Sequence, residues 1–178
     1  MMHDEVILVD AYDNEIGTAE KMKAHQQGLL HRAFSIFIFN SAGEMLLQQR
    51  ASSKYHSGGL WTNACCSHPR PGEKTPEAAK RRLYEELGFI TALTNIFSFT
   101  YKAELDNGLT EHEFDHVYTG IYDGEINVAP SEVQAFCYRS VFTINKELEE
   151  QPQKFTAWFH LAFPKLLQLD YQRMLQLT

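Results

Sequence analysis

Thiol, imidazole and carboxylate side chains crowd into the stretch from Leu60 to Phe89, LWTNACCSHPRPGEKTPEAAKRRLYEELGF. Cys66 ends a short apolar run two residues before His68, where neighbouring cations could keep a thiol reactive. The alternative role for such a thiol is a small buried hydrophobe, which suits Cys65 or Cys137, and spacing alone does not choose between Cys65 and Cys66. Arg82 and Glu86 are four residues apart, which as an ordinary helix-surface ion pair is worth only a few tenths of a kcal/mol. Glu85 and Glu86, however, stand side by side without an obvious second partner. His25, His31 and His68, together with Glu111 and Glu113, form a donor set suited to a divalent transition metal such as Mn²⁺ or Zn²⁺. These groups come from three distant segments, so spacing does not bring them together. Lys21, Arg50, Lys54 and Arg82 lie outside any charge run; isolated cations usually belong to a solvated surface, but a converging set would imply an anionic substrate such as a diphosphate.

Positioning these groups requires a sheet. Glu5 to Asp10 reads as a strand followed by a turn at Asp13-Asn14, and Arg32 to Asn40 and Glu44 to Arg50 read as a hairpin around Asn40-Ser41-Ala42-Gly43. Ile96 to Ala103 alternates and is joined by Asp106-Asn107-Gly108 to a strand over Leu109 to Tyr122, a second hairpin. On that second strand Glu111, Glu113 and Asp115 share one face while His112, Phe114 and His116 share the other. A helix starts with Thr75 as its cap and Pro76 at its first position, and Gly88 stops it. Ala79, Leu83 and Leu87 make its core stripe, and Arg82 and Glu86 flank that stripe, facing the sheet and its rim. A strand follows over Val133 to Tyr138, then a short helix capped by Thr143 and stopped by Pro152. The Leu-rich end, including Trp158 and the run from Leu166 to Leu177, reads as a helix on the sheet, kinked or interrupted at Pro164; its leucines could also face a partner.

The chain has 178 residues, of which 44% are hydrophobic, enough for one domain over residues 1–178 with a real core. A net charge of -7 argues against nonspecific nucleic-acid binding and against a basic membrane-surface role. With three cysteines and no apolar leader, a reducing, cytoplasmic setting is expected.

The segment Thr62-Asn63-Ala64-Cys65-Cys66-Ser67-His68-Pro69, followed by Gly72-Glu73, Arg81-Arg82-Leu83-Tyr84-Glu85-Glu86-Leu87-Gly88 and Glu111-His112-Glu113, resembles type I isopentenyl-diphosphate isomerases of the Nudix superfamily. The resemblance runs from Lys21 through Trp158. It implies an α/β fold, a Nudix-type α/β/α sandwich on a mixed sheet, acting on a small prenyl diphosphate as a monomer or homodimer, with no nucleic-acid or membrane partner. It further implies that Cys66 and Glu113 are the opposing acid/base groups, that Tyr101 assists Glu113, and that Trp158 faces the reacting carbon. By the same resemblance, His25, His31, His68, Glu111 and Glu113 hold Mn²⁺ or Zn²⁺. Glu86 and the Cys66 carbonyl hold Mg²⁺ with the substrate, and Lys21, Arg50, Lys54 and Arg82 bind its diphosphate.

Two positions depart from the general Nudix box: Ser67 stands where it has Gly, and Arg82 where it has Glu. Arg in place of that metal-binding Glu weakens a hydrolytic metal cluster, while Glu85 still matches the box. The alternatives to an isomerase are therefore a Nudix hydrolase of a small diphosphate and a catalytically silent diphosphate-binding module.

Overall fold

The computed structural model describes residues 4–176, with side chains as far as Leu169; Leu175 and Leu177 of the Leu-rich end lie outside the described side chains. Its strands are β1 (Glu5–Val9), β2 (Glu15–Glu20), β3 (His31–Phe39), β4 (Met45–Arg50), β5 (Trp61–Thr62), β6 (Cys65–Ser67), β7 (Thr94–Glu104), β8 (Thr110–Ile121) and β9 (Val133–Arg139). The helices are α1 (Lys21–Gln27), α2 (Thr75–Leu87), α3 (Val141–Glu150) and α4 (Ala157–Gln176).

β3 runs parallel to β8, with His31 beside Glu113 and Ser35 beside Val117, while the other named pairings are antiparallel. The sheet is therefore mixed. Apolar side chains cover both of its faces. Phe34, Ile36 and Ile38 meet Ala78, Ala79, Leu83 and Leu87 of α2 on one side. Phe37, Met45, Leu47 and Val117 meet Ile144, Phe159, Phe163 and Leu166 of α3 and α4 on the other. Helix layers on both faces of a mixed sheet make an α/β/α sandwich.

The β7–β8 hairpin forms along nearly the whole of both strands. The hairpin expected between β3 and β4 does not: only Phe39 and Met45 pair. The segment carrying Cys66 drives between the two strands, β6 pairing with β3 and β5 with β4. Asn63, between β5 and β6, holds this wedge by donating from Nδ2 to the carbonyls of Ile36 at 3.0 Å and Cys65 at 3.1 Å.

Two helix starts differ from the sequence reading, and the interruption it allows at Pro164 does not occur. The α2 cap is Lys74, which leaves Thr75 and Pro76 as the first two helical residues, whereas Gly88 ends the helix in the left-handed region at φ 76°. Ser140, and not Thr143, caps α3, because its hydroxyl accepts the Thr143 N–H at 3.1 Å. Helix α4 continues through Pro164. Proline removes one N–H from the helix, and the buried side chains of Phe159, Ala162, Phe163 and Leu166 hold the turns on either side against the sheet.

Candidate active site

The wedge sets Cys65 and Cys66 apart. Cys65 points into the α2 core and is fully buried. Cys66 lies opposite Ser35 in the β3–β6 pairing and lines a cavity of about 50 Å³. That cavity collects Lys21, Arg50, Lys54, Arg82, His68, Glu86, Tyr101, Glu111, Glu113 and Trp158, drawn from α1, α2, α4, the strands β4, β7 and β8, and the loops carrying Lys54 and His68. His25 and His31, both fully buried, complete a group behind it.

His25 Nδ1 lies 2.8 Å from the Lys21 carbonyl and His31 Nδ1 2.8 Å from that of Leu29. Each contact fixes a tautomer with the proton on Nδ1, so both Nε2 lone pairs turn inward. His31 Nε2 is 3.2 Å from His68 Nε2 and 3.5 Å from Glu113 Oε1; His68 Nε2 is 2.9 Å from that same oxygen. One donor atom from each of His25, His31, His68 and Glu113 lies within 4.8 Å of the others. His25 Nε2 is buried with no hydrogen-bond partner. Inward lone pairs, a carboxylate and an orphaned imidazole nitrogen fit a divalent cation, with main-chain carbonyls orienting the rings. Glu111 belongs to a second set, with His25 and His56.

Burial pushes the His68 and His56 rings down to about 3, so both are neutral. The two carboxyls of β8 are driven apart. Burial, and then the charge of Glu113, raises Glu111 well above the ordinary range. Burial would also raise Glu113, but its bond to His68 and the neighbouring His31 ring override that and hold it well below. Tyr101 Oη is 2.7 Å from Glu113 and 3.0 Å from Glu111. A phenol has one proton, so a neutral Glu111 donating to Tyr101, and Tyr101 donating to the Glu113 carboxylate, satisfies both contacts.

The surroundings of Cys66 differ from the expected cation-activated thiol. Its Sγ lies 3.2 Å from Asn63 Oδ1 and 3.3 Å from Ser35 Oγ, whose hydroxyl donates to the fully buried Asp115 at 2.7 Å. Burial, and then the nearby Asp115, pushes the thiol well above its usual range. Since Asn63 Nδ2 is already committed to two carbonyls, Oδ1 can only accept, and the sulfur is held as a protonated donor.

At the cationic end of the cavity, Arg82 bonds Glu86 at 2.6 Å and Glu85 at 2.8 Å, and Lys54 bonds Glu132 at 2.6 Å. Gln48 donates to the other Glu86 oxygen at 3.0 Å. Arg50 stacks over the Trp158 ring at 5.2 Å. The sequence reading gives no place to His56, Ser35 or Glu132, and it gives Asn63 a motif position and Asp115 a strand face without a role for either. The one local signal for His56 was a histidine directly before a Ser-Gly-Gly turn.

A family model described as NUDIX domain matches residues 29–159. The chain is 56% identical to an isopentenyl-diphosphate Delta-isomerase of Serratia proteamaculans, over 89% of this chain and 88% of that one. It is 52% identical to one of Burkholderia multivorans, over 89% of this chain and 90% of that one. Among solved structures, a Deinococcus radiodurans protein superposes with a TM-score of 0.69 at 17% identity, covering 83% of this chain and 90% of that one. A MutT protein from Methanosarcina mazei superposes with a TM-score of 0.65 at 18% identity, covering 79% and 95%. At such identities these two speak to the fold alone.

Proposed function

The chain belongs to the Nudix family, among its isopentenyl-diphosphate Delta-isomerases, and we propose that Cys66 and Glu113 carry the proton shift by which it interconverts isopentenyl and dimethylallyl diphosphate. The observation that carries this reading is the meeting of Cys66, Glu113, Tyr101 and Trp158 with four cations around one cavity.

The shift forms a C4–H bond from the C3=C4 π electrons and breaks a C2–H bond, whose electrons make the new C2=C3 bond. A tertiary cation at C3 lies between the two events. One group must give a proton and another must take one. The environments of Cys66 and Glu113 suit that division, a thiol held protonated and a carboxylate held ionised. Because the reaction is reversible, each is acid in one direction and base in the other. Tyr101 passes its hydrogen bond between Glu111 and Glu113. The indole of Trp158 offers a π face to the cation without a lone pair that would trap it.

Lys21, Arg50, Lys54 and Arg82 bind the diphosphate, which displaces Glu132 from Lys54. When bound, Mn²⁺ or Zn²⁺ on His25, His31, His68, Glu111 and Glu113 favours ionised carboxylates, and Mg²⁺ on Glu86 and the Cys66 carbonyl offsets phosphate charge. Arg82 opposes the hydrolase alternative, because it stands where the Nudix box has a metal-binding Glu and its ion pair occupies Glu85. Three free cysteines and the absence of any described helix able to cross a membrane support a cytoplasmic setting.

The test is a proton NMR time course with isopentenyl diphosphate and Mg²⁺ in D₂O, comparing wild type with Cys66→Ala. Deuterated dimethylallyl diphosphate, lost in the variant, is expected. Phosphate release without isomerised product would move the protein to the hydrolases, and no change in the substrate would leave a binding module.

A further inference from the structure

Two sets of donor atoms share His25. One is His25, His31, His68 and Glu113, the other His25, His56 and Glu111, and within each the atoms lie within 4.8 Å of one another. His25 has only one nitrogen to offer, because Nδ1 faces the Lys21 carbonyl and Nε2 is the buried, unpartnered atom. One lone pair serves one ion. An ion on His25 Nε2 would therefore draw ligands from both sets, whose outer donors must close to within about 4.2 Å of one another around it.

We propose that His56 is a further ligand of that centre, so that four imidazoles and two carboxylates surround one divalent ion. This rests on the reading above in which His25, His31, His68 and Glu113 hold a cation.

The ring is aimed for the task. His56 Nδ1 lies 3.2 Å from Ser57 Oγ, which leaves Nε2 facing Glu111 Oε1 at 3.9 Å. That distance is too long for a hydrogen bond. It falls within the span of two donors that each sit about 2.1 Å from one ion.

The loop carrying His56 is built to hold it there. Ser57 adopts a left-handed φ of 51°, a strained conformation for serine. Its N–H donates to Asp106 at 3.2 Å, Asn107 Nδ2 donates to the Tyr55 carbonyl at 3.1 Å, and Arg50 donates to the His56 carbonyl at 3.3 Å. Asp106 and Asn107 belong to the β7–β8 turn, so the strand pair that supplies Glu111 also clamps His56. Strain sustained by clamps from distant segments is characteristic of functional positions. His56 itself is only 4% exposed.

Four nitrogens and two oxygens match six-coordinate first-row ions. A shell filled by protein leaves no position for a metal-bound water. The ion would then act on Glu111 and Glu113 through its field alone, with no hydroxide beside a reactive diphosphate or carbocation.

The experiment strips the purified full-length protein with a chelator, titrates it with Mn²⁺ against a competing chelator, and records the visible spectrum of the Co²⁺-loaded form. Wild type should bind one ion per chain at this centre and give the weak absorption of six-coordinate Co²⁺. In His56→Ala the Mn²⁺ dissociation constant should rise about tenfold or more, and the Co²⁺ bands should intensify as coordination number falls. His56→Gln is the second variant should the alanine protein not fold. Unchanged affinity in a folded variant overturns the proposal. So does weakened affinity with an unchanged Co²⁺ spectrum, which would make His56 a support and not a ligand. His25→Ala separates the two readings: if it binds Mn²⁺ as wild type does, the whole metal centre fails, whereas loss in His25→Ala with full retention in His56→Ala removes only this inference.

Discussion

Two hollows lie at opposite ends of the same strands. At one end of β3, β7 and β8 the cavity of about 50 Å³ is walled by thiol, imidazoles, carboxylates and cations. At the other end Phe39, Ile96, Ile121, Leu166 and Leu169, with the turn at Asn40 to Gly43, line a cavity of about 670 Å³ with no ionisable side chain among the described residues. The described lining of the larger space has nothing to do acid/base chemistry with. In the smaller one the charged groups close on each other, Lys54 on Glu132 and Arg82 on Glu86, and occupy the room a diphosphate would take. Charge convergence, and not volume, marks the end proposed to be active.

Substitutions should divide the same way. The largest effect is expected at the proton-shuttling pair: Cys66→Ala and Glu113→Gln each lower turnover by about 10²–10⁴-fold, followed as deuterium-labelled dimethylallyl diphosphate by NMR. Retention of more than a tenth of wild-type turnover in Cys66→Ala would remove the thiol from the chemistry. Arg82→Met comes next. Losing a charged hydrogen bond to the diphosphate, worth roughly 1.5–3 kcal/mol, raises KM about ten- to hundredfold. It also strands buried Glu86, so the thermal midpoint should fall with it. A KM that moves while the midpoint does not would mean that Glu86 finds another partner.

How much of this difference was legible in the sequence depends on how far apart the interacting residues are. The β7–β8 hairpin and the end of α2 at Gly88 were readable, since alternation, an Asp-Asn-Gly turn and a left-handed glycine are local signals. The splaying of β3 from β4 was not, because its cause is a segment that returns about twenty residues later and inserts between them. Within the site, the cysteine, histidine and glutamate motifs announced themselves by residue type. Ser35 and Asp115 did not, because a serine on an apolar strand matters only when a buried carboxylate on β8 and a thiol on β6 arrive on either side of it. His56 was invisible for the same reason: its partners are Glu111 and the β7–β8 turn.

Acid should affect the polar end selectively. His56 and His68 are held neutral down to about pH 3, whereas in the unfolded chain they take a proton near 6.5. Between those values the unfolded state binds more protons than the folded one, so stability rises with pH across the window and falls as pH drops through it. Glu111 and Asp115, whose carboxyls burial raises, oppose this trend, so the response is read as a difference: in the metal-free protein His56→Gln should remove a contribution to stability that is present above pH 6.5 and lost below it. A difference between wild type and His56→Gln that does not change between pH 7 and 5 would mean that His56 titrates in the folded state as it does in the unfolded chain.

The smallest effect on catalysis is expected at the apolar end, and it makes the comparison sharpest. Leu166 is 2% exposed and packs with Phe159 and Phe163 while also lining the larger cavity. Leu166→Ala should cost about 2–5 kcal/mol of stability yet leave turnover within about twofold, since distant sites act nearly additively. Its stability loss should not vary between pH 7 and 5, in contrast to the acid response of the histidine end. If Leu166→Ala lowered turnover tenfold below its melting range, the two ends of the strands would be energetically coupled and the larger cavity would belong to the catalytic cycle after all.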